Sequence, residues 1–124
     1  MMQYITTLLA LLLAGCAVAD INEPGGCARY GVREDGFRLT LGQVYELPQA
    51  ELNQACRFWM PPGYQKAGCY RLNPDGTADV FYRAGDPHAL AHELCHVRHG
   101  GNHTAQYNRD ARNGHPCPYC PIRG

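Results

Sequence analysis

An amphipathic helix is predicted between Asp86 and Gly100. Its inner face is formed by apolar residues three or four positions apart, namely Leu90, Leu94 and Val97. Asp86 followed by Pro87 is typical of a helix start, because Asp caps free backbone amides and Pro has no amide proton to leave unpaired. The glycines at 100 and 101 predict the end of the helix.

A β-hairpin is predicted immediately before this helix. Two segments of apolar and β-branched residues, 69–72 and 77–82, flank the strong turn sequence Asn-Pro-Asp-Gly at 73–76. Earlier elements are predicted as strands at 29–32 and 37–44 and a helix within 48–59. Together they predict a small α+β domain in which the hairpin packs on the helix.

The N-terminus carries a short apolar segment that leads to a cysteine. The nine residues from Ile5 to Leu13 are too few to cross a bilayer, which takes roughly 20. With the following residues up to Cys16, the segment resembles the signal of bacterial lipoproteins, in which the cysteine becomes the lipidated first residue. The resemblance implies a signal peptide at 1–15, a membrane tether at 16–26 and a domain at 27–124. An ordinary secretory signal is the alternative, because no Lys or Arg precedes the apolar segment.

Lipidation of Cys16 would hold the domain at a membrane without a transmembrane helix. Ala17 rather than Asp follows the cysteine, which resembles lipoproteins sent to the outer membrane. We therefore expect a lipid-anchored monomer of the cell envelope that faces the periplasm. The 11 basic and 11 acidic side chains balance, so no nucleic acid partner is expected.

Six cysteines besides Cys16 predict a domain held together by disulfides. They are Cys27, Cys56, Cys69, Cys95, Cys117 and Cys120. An even number in an oxidising compartment favours three bonds, but the sequence does not give the pairing. Cys95 lies in the predicted helix and is expected to bond to the C-terminal tail, with a buried free thiol as the alternative. Cys-Pro-Tyr-Cys at 117–120 resembles the glutaredoxin site, but only four residues follow it, so a structural disulfide is expected there.

The predicted helix carries the sequence His-Glu-Leu-Cys-His at 92–96. Because His92 and His96 are four positions apart, their imidazoles leave the same face of the helix and can bind one metal ion. Glu93 lies beside them, where a carboxylate can take a proton from a water molecule that zinc has made acidic. The motif therefore predicts zinc chemistry, with Zn²⁺ as the cofactor.

The hairpin and helix resemble the zincin metallopeptidases over roughly residues 68–103. The resemblance implies that His92 and His96 are zinc ligands and that Glu93 is the general base. It also implies that the strand at 77–82 is the edge strand beside which an extended peptide binds. We therefore expect a small, disulfide-stabilised minimal zincin that hydrolyses a peptide or protein substrate.

A third zinc ligand is expected after the helix. In metzincins a glycine bends the chain and another histidine follows; here two glycines precede His103, an arrangement that also resembles WLM-type minimal zincins. His103 is expected because the glycine bend can return it to the helix, whereas His99 is about 10 Å from His92 along the axis. The alternatives are His99, Asp110 and His115. No methionine follows the motif, so the Met-turn of metzincins is absent.

Two further expectations concern the mechanism and the class of function. Tyr107 is a candidate for stabilising the oxyanion, with an ordinary half-buried surface aromatic as the alternative.

A helical stripe of histidines would also suit a metal-sequestering surface, formed by His88, His92, His96 and His99. The alternative function is therefore a non-catalytic periplasmic metal-binding or interaction lipoprotein, such as an exclusion or immunity factor. Glu93 separates the two, because an enzyme needs it and a scavenger does not.

Overall fold

The computed structural model describes residues 20–59, 64–112 and 120–121, which have an α+β architecture. In this part of the chain, three α-helices and two 3-10 helices accompany a three-stranded mixed sheet and a separate pair of short strands. The elements in chain order are a 3-10 helix (Gly26–Tyr30), β1 (Thr40–Leu47), α1 (Gln49–Ala55), a second 3-10 helix (Arg57–Trp59), β2 (Tyr64–Gln65), β3 (Gly68–Leu72), β4 (Thr77–Arg83), α2 (Pro87–His99), α3 (Ala105–Arg112) and β5 (Cys120–Pro121).

The hairpin that precedes α2 is confirmed. β3 and β4 are antiparallel, with Gly68 opposite Tyr82. Asp75 orders the turn, because its Oδ1 atom accepts hydrogen bonds from the backbone amide of Thr77 at 3.0 Å and from its hydroxyl at 2.6 Å. The chain leaves β4 and enters α2 after only three residues, so the hairpin is placed directly against the helix.

β4 lies in the middle of the three-stranded sheet, whose order is β1-β4-β3. β1 pairs with it in parallel, from Thr40 opposite Thr77 to Leu47 opposite Arg83. The expectation that the strand at 77–82 is an edge strand is therefore wrong, because β1 occupies the side that an edge strand would leave open. The edge strand beside α2 is β3.

Of the two strands predicted at 29–32 and 37–44, the first is wrong and the second is confirmed in part. Gly26–Tyr30 is instead a 3-10 helix, which the disulfide from Cys27 holds against α2. The second strand is present over residues 40–44 and continues to residue 47 as β1, which pairs with β4. The helix expected within 48–59 is confirmed as α1 and the short 3-10 helix that follows it.

Helices cover both faces of the sheet. α2 packs on one face, where the buried residues are Ile21, Cys27, Val32, Ala78, Val80, Leu90, Ala91, Leu94, Cys95 and Val97. α1 packs on the other face, where a smaller cluster consists of Leu52, Cys56, Cys69 and Phe81. The predicted inner face of α2 is therefore confirmed, and the face that carries the histidines remains available for a site.

Two disulfides join the described elements, Cys27–Cys95 and Cys56–Cys69. Cys95 is thus bonded to the N-terminal 3-10 helix, and both the expected bond to the C-terminal tail and the alternative of a free thiol are wrong. The reason is the packing of that 3-10 helix across α2, which buries Cys27 completely beside Cys95. A disulfide within 117–120 stays a prediction, because Cys117 and the side chain of Cys120 lie outside the described residues.

Removing the Cys27–Cys95 disulfide is expected to destabilise the protein more than removing Cys56–Cys69. The first bond spans 68 residues and the second spans 13, so chain entropy predicts losses of about 4 and about 3 kcal/mol in the free energy of unfolding. Urea unfolding of the metal-free Cys27→Ala/Cys95→Ala and Cys56→Ala/Cys69→Ala variants would measure this. A larger loss for the shorter loop would contradict the entropic explanation.

Most residues of the predicted signal peptide and membrane tether lie outside the part of the chain that the structure describes. The signal peptide at 1–15 and the lipidated Cys16 lie there, and both stay predictions. From Asp20 the chain is described, and Ile21 is buried in the core beside Cys27. Among the described residues, no helix is both long and apolar enough to cross a membrane.

Candidate metal centre

Helix α2 begins and ends where the sequence predicts. The Asp86 side chain accepts a hydrogen bond from the amide of Ala89 at 3.0 Å and so caps the first turn. Gly100 ends the helix with a φ of 101°, a conformation that favours glycine, and its amide donates to the carbonyl of His96 at 2.9 Å. Between these caps the helix is regular, so His92 and His96 lie one turn apart on one face.

His103 is returned to this face by the loop after Gly100. The loop runs antiparallel to residues 31–33, where Val32 and His103 form a β-bridge. Two backbone hydrogen bonds of 2.9 Å flank the bridge, from Arg33 to the carbonyl of Asn102 and from Thr104 to the carbonyl of Gly31. Because Val32 is fully buried, these contacts attach the His103 backbone to the core.

Three imidazoles therefore converge. The Nε2 atom of His96 lies 3.1 Å from the Nε2 atoms of both His92 and His103. The three side chains form a group that could hold a metal ion, with all three ligand atoms within 4.8 Å of one another. For comparison, a tetrahedral zinc ion with bonds of about 2.0 Å separates its nitrogen ligands by about 3.3 Å.

The alternative third ligands are placed elsewhere. His99 directs its Nε2 atom towards Glu34, 3.6 Å from Oε1. Asp110 accepts a hydrogen bond from Gln106 on the same helix, and His115 lies outside the described residues. Cys27, Glu34 and His99 make a second group of close ligand atoms, but the Cys27 sulfur is already bonded to Cys95.

Hydrogen bonds fix the tautomers of the two helical histidines. Nδ1 of His92 faces the carbonyl oxygen of Tyr30, and Nδ1 of His96 faces that of Gly100 at 2.9 Å. A carbonyl only accepts, so each Nδ1 carries the proton and each Nε2 carries a lone pair. Two lone pairs that face each other at 3.1 Å repel unless a cation lies between them. The donor set therefore fits a metal ion.

Burial keeps these imidazoles neutral, which is the state that binds metals. Burial, reinforced by the charge of His96, lowers the pKa of His92 to about 3 and that of His103 to about 4. Burial also lowers the pKa of His96. At neutral pH the three side chains thus present lone pairs without losing a proton first.

Glu93 is buried next to the three imidazoles. Its Oε1 atom is 3.9 Å from Nε2 of His92, and only 6% of the residue is exposed. Burial raises the pKa of Glu93 to about 8, and the positive charge of Lys66 opposes the rise. Gly68 leaves room for the carboxylate, since a Cβ atom there would lie 2.9 Å from Cγ of Glu93.

Tyr107 forms the wall behind His103. Its ring stacks on that imidazole at 4.2 Å between centroids, with an angle of 19°, and on the His92 ring at 5.1 Å. Gly31 makes this possible, because a Cβ atom there would lie 2.3 Å from the Tyr107 ring. Tyr107 is therefore part of the site, and its role towards an oxyanion stays a prediction.

The histidines open into a cleft of about 570 Å³, a volume in the range of small-molecule and peptide side-chain sites. One wall is the edge strand β3 with residues 65–67 before it. Trp59 and Tyr70 extend this wall as a stacked pair with centroids 6.0 Å apart, and Tyr70 also contacts the His96 ring at 5.4 Å. The cleft thus has an aromatic side next to the candidate metal ligands.

Several residues of this site were not found from the sequence. Tyr30 contributes a backbone carbonyl, which leaves no trace in the sequence, and Gly68 acts only through the space it leaves. The aromatic wall depends on the contact of Trp59 with Tyr70, two residues in different elements, and the sequence does not record that contact. Lys66 alone had a usable signal, because it is the single lysine among 11 basic residues.

Comparisons of this chain with family models, curated proteins and solved structures give no match. Function therefore has to be argued from the geometry and chemistry of the site.

The low histidine pKa values predict that metal binding resists acid. Zinc affinity of a Glu93→Gln variant is expected to change less than about tenfold in total between pH 7.5 and 5.5, because protons compete for His103 and His92 only as the pH falls towards 4 and 3 and burial also lowers the pKa of His96. Histidines with an ordinary pKa of about 6.5 would lose about tenfold per ligand. The Gln substitution removes the titration of Glu93 from the measurement, which is made in zinc-buffered solutions. A loss that begins near pH 6.5 would contradict the prediction.

Proposed function

We propose that this protein is a zinc-dependent peptidase with a minimal zincin fold. The observation that carries the proposal is the convergence of three neutral imidazoles, His92, His96 and His103, with a buried carboxylate 3.9 Å from one of them. A protein that only stores metal has no use for a carboxylate in that position, since burying it costs free energy. Zinc is the metal we propose, because three histidines that leave one open position are typical of catalytic zinc sites.

The residues have separate roles in the proposed reaction. The three histidines would hold zinc, which when bound makes a water molecule acidic and polarises a carbonyl group. Glu93 accepts the proton of the attacking water and passes it to the leaving amine. Burial raises the pKa of Glu93 to about 8 in the metal-free protein, and a bound dication would lower it, because an opposite charge nearby favours the carboxylate that a base requires. The carbonyls of Tyr30 and Gly100 keep His92 and His96 oriented with Nε2 towards the cleft.

The cleft suits an extended peptide as substrate. β3 is an edge strand beside the candidate metal ligands, so a peptide could pair with it through backbone hydrogen bonds. This assigns to β3 the role that the sequence had suggested for β4. We further propose that the lipidated Cys16 holds the enzyme in the cell envelope, at the outer membrane and facing the periplasm.

Metal analysis together with cleavage assays tests the proposal. The purified protein is expected to contain one zinc ion per chain and to cleave a peptide library. Removal of the ion with a chelator should abolish cleavage, and added zinc should restore it, because His92, His96 and His103 would then have lost and regained their metal ion. A zinc-loaded protein that cleaves no peptide would instead support the non-catalytic metal-binding alternative.

A further inference from the structure

The single lysine of the chain lies in the candidate active-site cleft. The other ten basic residues are arginines, whereas Lys66 lines the same cavity as the three histidines and Glu93. Its ammonium group is 5.8 Å from the centroid of the Trp59 ring. A lysine differs from an arginine in offering a compact point charge that can turn its protons towards an anion.

The backbone around Lys66 is held in place from two sides. The carbonyl of Lys66 accepts a hydrogen bond from the Gln49 side chain at 2.8 Å. The carbonyl of Ala67 accepts one from the amide of Arg83, also at 2.8 Å. The lysine side chain therefore starts from a fixed point on the cleft wall, which reduces the entropy lost when it binds a partner.

The charges that line the cleft leave an excess of positive charge once a dication is bound. Arg83 and Asp86 neutralise each other in an ion pair of 2.6 Å. Lys66 and Glu93 carry the remaining side-chain charges along the wall. Lys66 is positive and Glu93 is at most a single negative charge, so a bound zinc ion would make the cleft positive in either state of Glu93 and attract an anionic substrate group. Burial disfavours the Lys66 ammonium and lowers its pKa, an effect that the charge of Glu93 opposes, and a further anion would also favour the charged form.

We propose that Lys66 binds a carboxylate of the peptide substrate. This inference rests on the proposed peptidase function and specifies its substrate class: a peptide cleaved close to a free C-terminal carboxylate or to an acidic side chain. The stacked rings of Trp59 and Tyr70 lie on the same wall. They offer an apolar surface to the residue that carries the carboxylate.

Because the chain has one lysine, binding can be followed without turnover. Reductive methylation with ¹³C-formaldehyde gives a dimethylated Lys66 that keeps its charge, with one NMR signal that is distinct from that of the terminal amine. We expect this signal in the zinc-loaded protein to shift with N-acetylphenylalanine and not with its amide. The α-amide of N-acetylglutamate, in which only the side-chain carboxylate is free, distinguishes the two sources of the carboxylate. Equal shifts with acid and amide, or no shift with either carboxylate, would overturn the proposal.

Cleavage kinetics provide the second test. Matched peptides that end in a free acid or in an amide, and an amide peptide with Glu at the same place, are compared as ratios of kcat/KM. Lys66→Met is expected to lower the ratio of carboxylate to amide peptide by about tenfold or more, the usual size of a lost charge-assisted hydrogen bond. Lys66→Arg should retain part of the preference. Arg38→Met, at an exposed arginine outside the residues that line the cleft, should leave the ratio unchanged.

The outcomes separate this inference from the proposed function. If Lys66→Met slows acid and amide peptides equally while zinc content and circular dichroism are unchanged, the carboxylate inference is wrong and the peptidase stands. If the zinc-loaded wild type cleaves no peptide but binds the carboxylate through Lys66, the proposed peptidase function is wrong and the carboxylate-binding site is supported.

Discussion

Replacing Glu93 by Gln is expected to reduce peptide cleavage by about 10²- to 10⁴-fold, the usual contribution of a general base, while zinc stays bound. Gln has the same shape but cannot accept the proton of the attacking water. It also fits the same buried space above Gly68, so the fold should be preserved. Parallel measurement of kcat and of zinc content by atomic emission would show the two effects separately.

Glu34→Gln is the matched control for this substitution. Glu34 is exposed and faces His99 rather than the three converging histidines, so the same chemical change there should alter cleavage less than about twofold, as is usual for surface positions. If Glu93→Gln were as active as Glu34→Gln, Glu93 would not be the base. If Glu93→Gln lost its zinc, the carboxylate would be needed for binding the metal instead.

His103→Ala is expected to weaken zinc binding by more than about 100-fold, because even residues that only orient a ligand contribute about 10- to 100-fold. Two imidazoles from one helix would remain, which is fewer than the three protein ligands of catalytic zinc sites. The affinity can be measured by competition with a chromophoric chelator. Cleavage at limiting zinc should fall in parallel.

His99→Ala provides the comparison. His99 is also in the last turn of α2, but its Nε2 atom is 3.6 Å from Glu34 and is outside the group of converging nitrogens. Its substitution should leave the zinc affinity within about threefold of wild type, because His99 contacts Glu34 and not the three converging nitrogens. A large loss of zinc affinity in His99→Ala and a small one in His103→Ala would show that the third ligand is His99 and not His103.

The local part of the site could be predicted from the sequence. Helical periodicity places His92 and His96 on one face with Glu93 beside them, and the caps at Asp86 and Gly100 are short-range features that depend on few neighbours. The return of His103 followed from glycine at the bend. These predictions succeeded because each depends on residues that are close in the chain.

The parts that failed depend on contacts between distant segments. The bond from Cys95 goes to Cys27, 68 residues earlier, and nothing around Cys95 specifies that partner. The parallel pairing of β1 with β4 turned the expected edge strand into a central one. A strand sequence records which side chains alternate but not which neighbour the strand will have.

The N-terminal segment positions the histidines, so the His-Glu-Leu-Cys-His helix would not form the same site outside this domain. The carbonyl of Tyr30, the bridge at Val32 and the space at Gly31 all come from residues 30–32, more than 50 residues before the helix. A peptide of residues 68–103 alone would contain the motif but lack residues 30–32, which orient the histidines. The arrangement of the three histidines therefore depends on the whole domain and not on the motif alone.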